Sequence, residues 1–323
     1  MSEPPAPFAF SRGATSTDSG CATDCRGPLD RADHLRKDGA ALTALWSHAR
    51  VILLDETGRA ATTAEGGLLA PCGAQISHGP GGVGAAVFLG LDEGGHGWFA
   101  LDAALTAFCA PNWMDLRAAA ALWPSLHASV FAQARALQHW RNRHRFCGVC
   151  GGGVGLSRGG WLGTCEQCGA EHYPRTDPAV IVAVTDGSRV LLGRQSGWPA
   201  RRYSVVAGFV EPGESLEQAV AREVMEETRV RVRDCRYLAS QPWPFPGALM
   251  LGFIARAEPD APEVSDELED ARWFTADEIR AAQARETLPA DQDDGGPLLS
   301  QPISIARWLI GQWLEHIQDA TTR

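Results

Sequence analysis

The stretch from Gly208 to Val230, GFVEPGESLEQAVAREVMEETRV, constrains this chain more than any other. It places Arg222, Glu223, Glu226 and Glu227 in one short segment. Offsets of three and four residues put the three glutamates on one face of a helix. Like charges at those offsets repel, so the arrangement destabilises a helix on its own. Hard divalent cations with oxygen ligands would neutralise it. A diphosphate substrate needs the same cations, to mask its oxygens and clamp them for attack by water. Ahead of the helix, Gly208 to Glu214 reads as a strand end, a turn at Pro212-Gly213 and a helix start suited to acidic residues.

The segment resembles the Nudix box, the signature of the Nudix hydrolases. That pattern is Gly, five residues, Glu, seven residues, Arg-Glu, an aliphatic, any residue, Glu-Glu, any residue, Gly and an aliphatic. Here it reads Gly208, Glu214, Arg222-Glu223, Val224, Glu226-Glu227, then Arg229 and Val230. A solvated acidic helix face is the commoner source of a charge run, but here the spacing, the glycines and the arginine agree together. The one departure is Arg229, where the family has Gly. A left-handed residue there ends the helix at little cost when it is Gly, and at a cost on the order of 1 kcal/mol when it is Arg. The expectation is that the helix runs on or the exit loop is rebuilt. Activity is expected to survive, because the carboxylates precede the change.

A second signal lies upstream. Cys147 and Cys150 form one Cys-x2-Cys pair, and Cys165 and Cys168 a second, with fourteen residues between. Two such knuckles at this separation fit a tetrahedral four-thiolate zinc site. A glycine after each second cysteine permits the tight turn around sulfur. Four protein ligands leave no open position, so this zinc is expected to be structural, stapling a segment too short to build its own core. The chain has nine cysteines. An odd count without an export signal argues against a disulfide framework, and Cys21 and Cys25 read as incidental.

Downstream lies Ser240-Gln241-Pro242-Trp243-Pro244-Phe245-Pro246. Prolines alternating with aromatics are stiff and extended. Aromatic faces can stack on a flat ring, and Gln241 carries a donor and an acceptor. On composition alone, an edge loop whose Trp and Phe merely pack is the better reading. Its position after the acidic helix shifts that balance. A four-cysteine ribbon, a Nudix box and this motif together resemble the NADH pyrophosphatase branch of the family over residues 140 to 310. The N-terminal segment is similar to that branch's degenerate Nudix-like domain more weakly, through Pro28-Leu29-Asp30-Arg31 and Phe88-Leu89-Gly90.

The resemblance implies an α+β chain with an α-β-α Nudix fold: a Nudix-like α/β domain at 27–140, a zinc ribbon at 141–173 and a catalytic Nudix domain at 174–323; residues 1–26, rich in Pro, Ser, Thr and Gly, are expected from composition to be a disordered tail. It implies Mg²⁺ or Mn²⁺ held by Glu223, Glu227, the Ala207 carbonyl and Glu267, with Glu226 adjacent. Glu263 and Glu269 compete with Glu267 in the same acidic loop. Glu214 and Arg222 would pair to hold loop against helix. Tyr173, Phe209, Gln241, Pro242, Trp243, Pro244, Phe245, Pro246, Gly247, Ala248 and Ala306 would line the dinucleotide pocket. Ala248 stands where the branch usually has Ser. The implied reaction is hydrolysis of the pyrophosphate bond of NADH or NAD, giving AMP and nicotinamide mononucleotide, by a homodimer.

Two other readings stand beside it. Removal of an NAD cap from RNA cuts the same bond. The net charge of −10 disfavours long nonspecific RNA contacts, though Arg201-Arg202 and Arg141–Arg145 offer local basic patches. A non-catalytic nucleotide sensor could dispense with the glutamate cluster, which this chain keeps; Arg229 is its only support. No apolar run approaches the roughly 20 residues of a membrane span. Neither end carries a secretory, retention or peroxisomal signal, so the cytoplasm is expected.

From Leu29 the pattern predicts strands at Val51–Leu54, Val83–Leu91 and Trp98–Leu101. It predicts a helix capped by Asp115, and a break at Pro124 within the Ala/Leu-rich run 116–140. His78 and His96 read as loop residues. Later strands are expected at Ala179–Thr185, Val190–Arg194, Tyr203–Val206, Arg236–Gln241 and Leu249–Arg256, a helix capped by Thr275, and a final amphipathic helix at Ile303–Ile317.

Overall fold

A computed structural model describes residues 11–12, 27–76, 86–287 and 294–321 of the chain. Cys21, Cys25 and His78 lie outside them, as does the tail except Ser11–Arg12 (β1), which pairs antiparallel with Ala239 and Ser240. The described residues contain no helix long and apolar enough to cross a membrane. The chain divides into two compact units, one taking in Asp24–Thr176 and Trp243–Gly247, the other Asp177–Pro242 and Ala248–Arg323.

In the first unit, α1 (Gly39–Trp46) starts at Asp38, whose carboxylate accepts from the Ala41 N–H. Five strands follow: β2 (Arg50–Leu54), β3 (Ala60–Thr62), β4 (Val87–Leu91), β5 (Gly97–Asp102) and β6 (Asn112–Met114). They form one sheet in the order β4-β5-β2-β3-β6, with β2 and β5 parallel. Val51, Leu53, Phe88, Phe99 and Leu101 meet Leu42 of α1 in one core. Asp115 caps α2 (Leu116–Leu122) through the Arg117 and Ala118 N–H groups. Pro124, which lacks an N–H for a continuing helix, separates α2 from α3 (Ser125–Arg143). The ribbon adds three antiparallel strands, β7 (Val154–Ser157), β8 (Leu162–Cys165) and β9 (Glu171–His172).

The second unit is built around β10 (Asp177–Thr185). Its side chains alternate between two cores, as the period of two in a strand requires. Val180, Val182 and Val184 pack with Ala219, Val220 and Val224 of α4 (Leu216–Thr228). Ile181 and Ala183 pack with α5 (Ala276–Arg285) and α6 (Ile305–Thr321) through Ile279, Ala282, Leu309 and Trp313. The sheet therefore lies between helical layers, an α-β-α arrangement.

Its remaining strands are β11 (Arg189–Arg194), β13 (Val206–Phe209), β14 (Val232–Trp243), β15 (Ala248–Ala257) and β16 (Asp270–Thr275). The main path runs β1-β14-β15-β10-β11-β16, β13 pairs with β10, and β10 and β15 are parallel. A short parallel pair, β12 (Arg202–Tyr203) with β17 (Leu298–Leu299), stands apart. Thr275 caps α5 in a capping box with Glu278. β14 starts four residues before the expected Arg236, because its first half is charged and pairs outward. Arg231 meets Asp260, Arg233 meets Glu258 and Arg256 meets Asp234.

Helix α4 carries the acidic cluster and forms despite it. Ser215 and Gln218 make a reciprocal capping box at its start. Val220 and Val224 are fully buried, each contributing about 1.5–3 kcal/mol. That exceeds the about 0.2–0.5 kcal/mol cost of a like-charge pair. At its end the expectation fails. The helix neither runs on nor exits through a rebuilt loop: Arg229 itself takes the left-handed conformation, φ 60 and ψ 11, and its N–H closes on the Met225 carbonyl. The strong packing of α4 fixes the chain path, and the exposed Arg229 bears the backbone cost. Arg229→Gly is therefore expected to stabilise the protein by up to about 1 kcal/mol, read as a higher melting temperature; an unchanged or lower value refutes the assignment.

Candidate active site

Strand β13 runs antiparallel to β10, pairing Ala207 with Ile181 and Gly208 with Val180, and delivers the chain to the loop before α4. Gly208 carries no side chain for a steric reason. A Cβ there would lie 1.9–2.1 Å from the Glu223 carboxyl atoms. The bare backbone lets that carboxylate rest against the strand.

Arg222 binds the surrounding acids. Its Nη2 and Nε donate to the two oxygens of Glu214 at 2.6 and 3.1 Å. Nη1 donates to Glu223 and Glu226, both at 2.9 Å, and Nη2 reaches the Phe209 carbonyl at 2.9 Å. Loop, strand and helix are thus tied by one guanidinium, the pairing expected of Glu214 and Arg222 extended to two further glutamates. These carboxylates push the Arg222 pKa up, Glu214 most.

Glu227 is different. It is 4% exposed, and the acceptors of Arg222 are Glu214, Glu223, Glu226 and the Phe209 carbonyl. Burial first, then the charges of Glu223 and Glu267, push its carboxyl up to about 8. Burial likewise raises Glu223, against the pull of Arg222. Of the three acidic-loop candidates, Glu267 is the one whose charge acts on both Glu223 and Glu227. Glu269 is taken by Arg194, and the Glu263 N–H bonds the Thr228 carbonyl. A carboxyl whose proton is favoured by burial and then by like charges, among oxygen donors only, suits a hard divalent cation. Glu223, Glu227 and Glu267 would hold it.

The four cysteines meet a more compact test. Among the described residues they alone bring three or more His, Cys, Asp or Glu ligand atoms within 4.8 Å of one another. Cys147 and Cys168 sulfurs are 3.7 Å apart, Cys150 and Cys165 sulfurs 3.4 Å. Tetrahedral zinc with bonds near 2.3 Å sets sulfurs about 3.8 Å apart. The N–H groups of Cys168 and Gln167 point at the Cys165 sulfur and hold its thiol down to about 6. The set fits a structural zinc.

Several pocket candidates have other employment. Gln241 is fully buried. Its amide donates to the Ile303 carbonyl and accepts from the Ile305 N–H, each at 2.8 Å, so it anchors the start of α6. That spends the donor and acceptor the sequence reading offered to a ring. Ala306 is 2% exposed and sits in the core. Tyr173 and Phe209 remain exposed, the Tyr173 hydroxyl donating to Glu171. Pro242 and Pro246 are exposed, while Gly247 and Ala248 are half-buried. Pro244 is buried, and Trp243 and Phe245 stand edge to face at 5.0 Å. Arg117 and Arg135 contact this loop. Sequence reasoning missed both, because they lie more than a hundred residues away with no motif around them.

Two outcomes are expected. Unfolded Glu227 ionises near 4.5, whereas the folded residue keeps its proton to about 8. Between those values the folded state holds the extra proton, so this carboxyl's contribution to stability declines as pH rises. Cation binding must expel the proton. Mn²⁺ affinity should therefore climb from pH 6 to 8, with proton release seen by calorimetry in buffers of different ionisation heat, and a pH-independent affinity contradicts this. Cys165→Ser should lose the zinc and lower the melting temperature by several degrees; a variant that stays metal-free at wild-type stability argues against a staple.

Three family models match the chain: a NADH pyrophosphatase-like rudimentary NUDIX domain over residues 30–140, a NADH pyrophosphatase zinc ribbon domain over 142–173 and a NUDIX domain over 175–293. A NAD-capped RNA hydrolase, NudC, of Mycobacterium bovis BCG Pasteur is 41% identical over 291 residues, covering 88% of this chain and 92% of the relative. The protein of that name in Chromobacterium violaceum is 38% identical, covering 72% of this chain and 82% of its own. Among solved structures, a NUDIX hydrolase from Nitrosomonas europaea aligns with 53% of this chain and 90% of its own, at 23% identity and a TM-score of 0.41. By its three domain matches and its near full-length relatives, the chain belongs to the Nudix hydrolase family, in the branch that carries a NADH pyrophosphatase zinc ribbon.

Proposed function

We propose that the protein is an NAD(H) diphosphatase, hydrolysing the pyrophosphate bond of NADH or NAD to AMP and the nicotinamide mononucleotide. The observation that carries this reading is the buried Glu227 beside Glu223 and Glu267, following a ribbon and rudimentary domain of the NADH pyrophosphatase type. Divalent cations bound there would neutralise the pyrophosphate oxygens and lower the pKa of water. The chain's own residues do the rest. Arg222 holds Glu223 and Glu226 in place from the helix and fixes the Phe209 carbonyl on β13. Glu223, Glu227, Glu267 and the Ala207 carbonyl offer oxygens to the cations. Glu227, whose carboxyl burial and like charges push up to about 8, would hold a cation or take a proton at its carboxylate oxygen. Tyr173, Phe209, Trp243 and Phe245 are the proposed aromatic contacts of the dinucleotide.

A second reading is supported by the names of the relatives: the same bond cut at the 5′ end of an NAD-capped RNA. The sensor reading loses its one support, since Arg229 keeps the left-handed helix exit and disturbs no glutamate.

Purified protein with NADH and Mn²⁺ should release AMP and reduced nicotinamide mononucleotide. Glu227→Gln should fold normally and turn over slower by a factor on the order of 10² or more. Near-normal turnover in the folded variant would refute the role of Glu227. Comparing kcat/KM for NADH with that for an NAD-capped RNA oligonucleotide decides between the two substrates.

A further inference from the structure

The loop Trp243–Gly247 clusters with the first unit, and two arginines of that unit grip it. Arg117, in the first turn of α2, lies 4.2 Å from the Phe245 ring centre and 5.3 Å from that of Trp243. Arg135, midway along α3, lies 5.2 Å from the Phe245 ring centre and donates to the Pro244 carbonyl at 2.5 Å. The loop has reason to need outside support. Prolines have no N–H, and within the loop the Phe245 N–H bonds the Trp243 carbonyl. Planar guanidiniums suit ring faces and carbonyls together. The two cations also repel. Burial, then Arg117, holds Arg135 below its ordinary value, with Asp115 opposing. Ring faces and a carbonyl oppose that repulsion. The same Asp115 that caps α2 sets the position of Arg117.

We infer that Arg117 and Arg135 are positioning residues that pre-set the aromatic loop for dinucleotide recognition, giving the rudimentary domain a part in substrate specificity. The inference rests on the proposed NAD(H) reading for its substrate, but the clamp itself does not. A loop ordered in advance loses less freedom when ligand binds. Losing the clamp removes binding common to ground and transition states, which raises KM and leaves kcat.

Two readouts test it on the full-length, zinc-loaded protein. The first is amide hydrogen exchange in a peptide covering residues 243–250, in wild type, Arg117→Ala/Arg135→Ala and Arg117→Lys/Arg135→Lys. Exchange at the loop should rise in the alanine variant and be restored only in part in the lysine variant, which keeps the charge but not the planar fork, with α4 unchanged. Unchanged loop exchange overturns the clamp, whatever the activity. The second is steady-state hydrolysis of NADH with Mn²⁺. The alanine variant should show KM higher by about tenfold with kcat within about twofold, and lysine should recover part of the loss. A fall in kcat with KM unchanged, or faster loop exchange with neither altered, overturns the specificity role. If wild type does not hydrolyse NADH, the diphosphatase reading and the specificity role fall together, while the exchange result still decides the clamp. Arg117 is exposed, so Arg117→Ala alone serves if the double variant is poorly folded.

Discussion

The guanidinium of Arg222 is the contact on which the catalytic unit's geometry turns. Four acceptors on three pieces of chain, the loop, β13 and α4, converge on one rigid fork. Arginine is suited to this because its donors are fixed in a plane and stay charged, so it can face a carboxylate with two donors and still reach others. A lysine ammonium in the same place would offer a point charge and could not hold the loop in register. The fork works only because Gly208 lets Glu223 approach the strand. The two residues are separate matches to a sequence pattern, but physically they are one device: one removes the steric barrier and the other supplies the attraction.

That device also explains why Glu227 differs from its neighbours. Arg222 satisfies Glu214, Glu223 and Glu226, which leaves the buried glutamate facing charges of its own sign. A buried carboxylate near like charges favours its proton. A cation bound beside Glu227 would relieve this unfavourable ionisation. Stability and cation affinity would then be linked through this one proton, because the fold favours Glu227 protonated and a cation would need it ionised.

Much of this was legible in the sequence, for identifiable reasons. The offsets within α4 fix its glutamate face, because helix geometry is local. Two Cys-x2-Cys pairs bring four sulfurs together, because few arrangements of such knuckles do otherwise. Caps at Asp115 and Thr275 and the break at Pro124 depend on their neighbours alone. What the sequence hid depends on tertiary context. Nothing local marks Glu227 as the most buried of its cluster. Glu267 stands out from Glu263 and Glu269 only once Arg194 has taken one and a backbone bond has placed another. Gln241 looked like a ligand contact until the start of α6 took both ends of its amide. Arg229 looked incompatible with the helix exit, yet the packing of Val220 and Val224 outweighs its backbone cost.

The aromatic loop shows how a packing role and a binding role can coincide. On composition it read either as packed rings or as a stacking platform. Its rings do pack, against Arg117 and Arg135, and that does not remove them from recognition. Phe245 meets two guanidiniums and Trp243 one. Contacts of this kind fix the planes of the rings, and so the surface they would offer to a ligand. A proline-rich segment with few backbone donors could not set those planes alone. The first unit supplies the two cations that the loop cannot supply itself.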